Sequence, residues 1–281
     1  MEMEIQREIT KQVFESYVPA AKMPERNDSV FERLQTQFNT VYQQLLLQVV
    51  GEEYESKFDT NELLKGTVVR FVCLQAFVNT IRSLDVVLTA TGFGIVNTPS
   101  MAPASKNRVD ALRDDCRLHA TESLHHIVSM LIKTEGWGLT LQARQTVQTL
   151  FWSIFHMTQF TWLPYTADSW QQARGRALIA DAFLRKSIST EYMDELLQKL
   201  RTNALNENDV TVMNICNTFT GGFISSYDTE KRPNQQQLDN IMQQLETYPD
   251  KYPTYVQSET YKARHAERYQ NRKEDPTFFF M

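Results

Sequence analysis

Excess positive charge, cysteine, long apolar runs and catalytic signatures are what this sequence has least of. Lysine and arginine total 29 against 34 aspartate and glutamate, a net charge of -5. That argues against a dedicated nucleic-acid binder, which needs a basic footprint, although it does not exclude a local basic patch. Three cysteines, Cys73, Cys116 and Cys216, are too few and too scattered for a disulfide framework, so a reducing compartment is the easier expectation. No apolar run approaches the roughly 18 to 20 residues needed to span a bilayer. The opening stretch, MEMEIQREITKQ, is acidic and amphipathic and does not read as a signal peptide. A soluble, intracellularly made protein with no membrane partner is the expectation.

Catalytic motifs are missing too. Gly92-Phe93-Gly94 lacks the third glycine, the lysine and the strand-to-helix context of a phosphate loop. There is no Gly-x-Ser-x-Gly elbow and no His-Glu-x-x-His. Cys116 and His119 stand three apart and could share a zinc, with His125 and His126 following, but a structural site wants four such ligands and His125, six positions beyond His119, lies far from the same face. A polar helix face with a half-buried cysteine is the favoured alternative. His156 falls in an apolar stretch and reads as a hydrogen-bonded core histidine rather than a base. The pairs Asp114-Asp115 and Glu52-Glu53 are consecutive, and consecutive helical side chains diverge by about 100°, so neither makes a convergent acid/base dyad. The expectation is therefore no enzyme, no metal and no cofactor, with a metal-dependent enzyme as the weakest alternative.

What is present is helical periodicity. Hydrophobic residues make up 42% and charged residues 22%, an ordinary balance for a globular chain with ample core. Ile5, Ile9, Val13 and Tyr17 form one stripe, ending before Pro19, and 20–27 reads as linker. Ser29 with Glu32 makes a capping box. The helix it opens carries Phe31, Leu34, Phe38, Val41, Tyr42, Leu45 and Val49 on one face, until Gly51 stops it. Asp59 and Glu62 repeat the capping pattern ahead of Leu63, Leu64, Val68, Phe71, Cys73 and Leu74. A helix is expected from Ser105 to about Lys133, broken by Gly136-Trp137-Gly138. Thr140 to Phe160 is dense in apolar residues and reads as the central core helix. Asp168 should cap a helix through Lys186, and Ser189 a short one through Leu200. Asn208 to Phe223 should be a helix closed by Gly221-Gly222. Pro233 starts the next at a position that suits a first turn. The fold class expected is mainly α: a helical bundle over 1–247, with a short central β-hairpin arm and an extended C-terminal tail.

The arm and loop, 85–104, interrupt the helices. β-branched residues from Val86 to Thr91 and at Ile95-Val96 flank Gly92-Phe93-Gly94, which reads as a hairpin around a glycine-rich turn. A proline-bearing loop follows, with Ser105 as N-cap of the next helix. The arm could meet a neighbour through Phe93, Ile95 and Val96, or fold back on its own helices; the two readings stand level. The tail, 248–281, repeats tyrosine among prolines, with one short helix expected from Ser258 to about Asn271, and reads either as interface or as packing along its own domain. Phe278-Phe279-Phe280 should not remain in water. A weak internal echo pairs residues 45–46 and 51–54 with 183–184 and 189–192 at one constant offset, as if helical hairpins around 28–58 and 168–197 were duplicated. Chance alignment of two amphipathic helices is the alternative.

Four pieces carry a resemblance. They are Gly51-Glu52-Glu53-Tyr54, Leu88-Thr89 with Gly92 to Val96 and Ala102 to Arg108, Ser169-Trp170 with Ser189 to Tyr192, and Tyr252 to Ser258 with Phe278 to Phe280. On these the chain resembles uncharacterised structural proteins of phages and prophages of gut bacteria, similar to head-to-tail connector or portal-adjacent adaptor proteins. The resemblance implies a non-enzymatic virion component at the head–tail vertex, made in the host cytoplasm and assembled as a ring. Copies of itself, the portal and neighbouring tail or ring proteins would be the partners, with DNA passing through the lumen without sequence-specific binding. The residues expected to make protein contacts are Gly92, Phe93, Gly94, Ile95, Val96, Pro103, Ser105, Arg108, Tyr252, Tyr255, Phe278, Phe279 and Phe280. A cytosolic helical protein-binding adaptor is the alternative from another class.

Overall fold

The first helix, α1 (Lys11–Tyr17), starts where Thr10 turns extended and its hydroxyl accepts the Val13 N–H at 3.3 Å. The computed structural model describes residues 8–18, 29–84, 86–89, 92–95, 105–229 and 232–266, with the backbone alone for 29–30 and for the two short strands. Ile5 and the 20–27 linker therefore lie outside the described residues. Phe14 anchors α1, fully buried among the rings of Phe31, Phe38 and Phe77. An ion pair between Lys65 and Glu8 fastens the same end.

Helix α2 (Ser29–Leu45) buries Leu34, Phe38, Val41, Tyr42 and Leu45, the face its spacing predicts, then widens into a π turn over Leu46–Val50. Gly51 ends it at φ 88°, a conformation only glycine adopts without strain, and its N–H closes on the Leu46 carbonyl at 2.8 Å. Asp59 does not cap the next long helix. It sits inside the four-residue α3 (Lys57–Thr60), and the Asn61 side chain accepts the Leu64 N–H at 3.0 Å instead.

Helix α4 (Glu62–Thr80) is the central core helix, buried on nearly every side from Leu64 to Thr80. With its final turn to Ser83 it is long and apolar enough to cross a membrane by length and composition, contrary to the sequence expectation; here it packs between α2 and α5 (Lys106–Ile132). Between α4 and α5 the backbone forms β1 (Val86–Thr89) and β2 (Gly92–Ile95), paired antiparallel.

The stretch from Thr140 to Phe160 is not one helix. It gives α6 (Leu141–Thr146) and α7 (Phe155–Phe160), with residues 147–154 outside helix. The apolar density does reflect burial: Val147, Leu150, Phe151 and Ile154 are all in the core. The helical ladder is replaced by partners from elsewhere. The Val147 carbonyl accepts both Nε and Nη2 of Arg201 at 2.9 and 2.7 Å, and the Ile154 N–H donates to His125. Buried backbone groups need partners, and here side chains supply them.

Helix α8 (Ala167–Ser187) is capped by Thr166, whose hydroxyl accepts the Ser169 N–H at 3.1 Å, leaving Asp168 free for another role. Ser189 caps α9 (Thr190–Arg201) as expected. A reciprocal Asn206–Asp209 box opens α10 (Glu207–Ser226), which runs straight through Gly221 and Gly222 rather than ending there. Asn234, just after Pro233, caps α11 (Gln235–Thr247).

The segment after Tyr248 was expected as an extended tail. Over its described part, 248–266, it folds onto the body as α12 (Pro253–Gln257) and α13 (Glu259–Arg264). Ser258 is the α13 cap, so the helix expected to run on to Asn271 breaks from α12 there and stops at Arg264, and residues beyond 266 lie outside the described part. Tyr252 and Tyr255 enter the core against Tyr192, with ring centroids 6.0 and 6.2 Å away. All three cysteines are buried and unpaired.

Candidate interaction surfaces

The strand pair stands at one end of the α4–α5 pair, and its root is tied on two sides. Arg82 reaches Asp110 on the first turns of α5 at 2.8 Å, and Arg33 of α2 donates to the Ser83 carbonyl at 3.0 Å. The Arg82 hydrogen bond holds the Asp110 carboxyl below its ordinary range. In register, Val86 faces Ile95, Val87 faces Gly94, Leu88 faces Phe93 and Thr89 faces Gly92. Gly92-Phe93-Gly94 is thus strand, not turn. Residues 90–91, between the strands, lie outside the described residues. Among the described residues, the strands' substantial backbone contacts are with each other.

Of the other expected contact residues, Ser105 is exposed and extended just before α5, without a side-chain cap bond, and Arg108 is exposed on the first turn. Gly92, Phe93, Gly94 and Ile95 lie in β2. Val96, Pro103, Phe278, Phe279 and Phe280 lie outside the described residues. Tyr252 and Tyr255 do not join this surface: at 2% and 0% exposed they pack inside the body. The driving force is burial of two large rings, and the Tyr255 hydroxyl gains partners in Glu246 and Arg264 as well.

A second surface was not anticipated. An open cleft of about 680 Å³ lies between α5, the 145–152 stretch and the start of α8. Trp152 and Trp170 line it, together with His125, Arg117, Arg174 and four glutamines. Arg117 is held by Asp168 at 2.5 Å and by Gln171 at 2.9 Å, which is what Asp168 does instead of capping. Arg174 is exposed and makes no ion pair among the described residues. A smaller hollow of about 310 Å³ continues the cleft past Arg117 and is lined by Asp114, Asp115 and Asp168. The cleft draws on segments scattered from Gln48 to Arg174, so no local motif announces it. The one available signal was tryptophan and arginine sharing the stretch 152–174.

His125 is 6% exposed and edges onto Trp170 at 5.0 Å. Its Nδ1 accepts the Ile154 N–H at 3.3 Å, which makes Nε2–H the ring's donor. Burial first, then the fields of His156, Arg174 and His126, push its pKa down to about 3. His156, enclosed by Phe151, Trp152 and Phe160, is pushed down to about 4 by burial, and its Nδ1 has no partner among the described residues. It is a core histidine, as expected, but among the described residues its Nδ1 is not hydrogen-bonded. His119 instead pairs with Glu122 at 2.9 Å on its own helix. Among the described residues no group of three His, Cys, Asp or Glu could hold a metal ion.

Both buried histidines have folded pKa values below the ordinary 6.5, so the unfolded chain binds more protons as pH falls. Stability is full above pH 6.5 and drops progressively as pH falls, through about 4 for His156 and about 3 for His125, by about 3 kcal/mol per histidine at pH 4. Urea unfolding midpoints at pH 7.5, 5.5 and 4.5 read this out. His156→Phe, which keeps a ring in the aromatic nest, should flatten the dependence by about half; an unchanged slope would show that His156 is not the titrating group.

Residues 24–146 are similar to a family of unknown function (DUF6712). The match covers less than half of the chain, from just before α2 to the end of α6, and so includes the strand pair but not α8. No curated protein and no solved structure matches.

Proposed function

We propose that this chain is a non-enzymatic structural subunit of a tailed phage, a connector or adaptor in a ring between portal and tail. Its location would be the head–tail vertex of the virion, after synthesis in the host cytoplasm. Its partners are further copies of itself, the portal and the adjoining tail or ring proteins. The observation that supports this best is the strand pair at the end of α4–α5, tied at its root by Arg82 and Arg33 yet paired chiefly with itself. An antiparallel pair with an open edge can add to a neighbour's sheet, and ring subunits need such heterologous contacts. The net charge of -5 suits a subunit beside a channel through which DNA slides without sequence-specific contact; a strongly basic lumen in the assembled ring would contradict that part.

A cytosolic protein-binding adaptor is the second reading, and the open cleft on α5 and α8 is the observation in its favour. Phe93→Asp separates the two. It places a charge in β2 opposite Leu88 and should abolish ring formation on a portal template, seen by negative-stain microscopy, while far-UV circular dichroism stays unchanged. A variant that assembles normally, or that loses its helicity, contradicts the role given to the arm.

A further inference from the structure

We propose that the cleft between α5 and α8 receives the Arg272–Phe280 segment of a second copy of this chain, linking subunits tail into cleft. The inference rests on the self-assembly in the ring reading and names the surface that carries it.

The cleft has an order. At one end Asp114, Asp115 and Asp168 make an acidic mouth; Arg117 separates this from the wider part, where Arg174, His125 and the two tryptophans lie. The segment has the complementary order: Arg272-Lys273, then Glu274-Asp275, then Phe278-Phe279-Phe280. Laid along the groove, its cations meet the acids, its acids meet Arg174, and its phenyl rings reach the indoles.

The buried member of the site favours the same ligand. His125 is neutral and offers an Nε2–H donor, so it calls for an acceptor, and a carboxylate supplies one. Arg174 has room for a carboxylate partner, whereas Arg117 is already bonded on both terminal nitrogens. A nucleic-acid backbone would fit the arginines but not the three aspartates beside them.

Reach favours a second copy over the chain's own tail. Arg264 is bonded to the Ser187 carbonyl at 2.6 Å, at the end of α8 away from the cleft. From Ser187 back to Asp168, where the basic pair would lie, α8 runs 19 residues, about 28 Å. From residue 266 to 272 the chain spans about 20 Å fully extended.

A fluorescein-labelled peptide with the sequence of residues 270–280, titrated into the full-length protein, tests this by anisotropy. Saturable binding is expected, and Arg174→Glu, an exposed side chain with no ion pair among the described residues, should weaken it about tenfold or more. A peptide with Glu274→Lys and Asp275→Lys should bind the wild-type protein poorly and the Arg174→Glu protein better. Sedimentation of the full chain should show self-association weakened by Arg174→Glu. No saturable binding, indifference to Arg174→Glu, or a strictly monomeric full chain each overturns the proposal, as does preferential binding of single-stranded DNA. Peptide binding in a protein absent from virions would keep this contact and remove the connector reading; a vertex location without peptide binding would do the reverse.

Discussion

Gly221→Ala should cost about 3 kcal/mol or more of stability, while Gly222→Ala, one residue on, should cost nothing or stabilise by up to about 1 kcal/mol. Both glycines lie inside α10, where alanine is the better helix former. They differ in what lies outside the helix. A Cβ on Gly221 would stand 2.0 Å from the Phe160 carbonyl oxygen and 2.6 Å from its carbon. That is backbone at the end of α7, and it cannot rotate away. A Cβ on Gly222 would meet only the Gln237 amide, at 3.6 Å. Thermal or urea unfolding of the two variants side by side decides the matter. Similar stabilities would mean that α7 and α10 do not approach as closely as described. The pair Gly221-Gly222 read from sequence as a helix stop, and it is instead the contact point of two helices.

Tyr255→Ala should destabilise by about 4 kcal/mol, the range for removing a large buried ring. Tyr255 is fully buried and stacks edge-on to Tyr261 at 5.3 Å. Its hydroxyl donates to Glu246 at 2.9 Å and accepts from Arg264 at 2.9 Å. Burial, then the Glu246 hydrogen bond, raise its pKa, so it stays protonated and neutral at any ordinary pH. Tyr255→Phe keeps the ring and should lose only about 1 kcal/mol of net hydrogen bonding. If the segment after Tyr248 were a detachable tail, both variants would unfold at the wild-type denaturant concentration. A large loss for alanine and a small one for phenylalanine would mark it as part of the body.

Local chemistry made much of this fold legible in the sequence. The buried face of α2, the Gly51 stop, the Ser189 cap and the extent of α5 all depend on residues close in sequence, and all were read within a residue or two. Caps were misplaced where two candidates stood side by side, as with Asp59 beside Asn61 and Asp168 beside Thr166. In the second case a distant residue decided, because Arg117 holds Asp168. The stretch 147–154 was read as helix because its apolar density signals burial without saying by what path. The path is set by Arg201 and His125, whose side chains bond its backbone from 54 and 29 residues away. The cleft was invisible for the same reason: its charges and indoles come together only when α8 lies on α5. For the arm, the sequence located the break in helical periodicity and misassigned the turn, since glycines can sit in a strand as well as between strands.

The most direct test of the connector reading is where the protein sits in the particle. Electron microscopy of purified virions, with this chain marked by a tag or an antibody, would answer it. The reading predicts label at the head–tail vertex, as a ring beneath the portal. Virions that lack the protein, with the chain left in the cell lysate, would contradict it and turn the cleft into the place to look for a cellular partner.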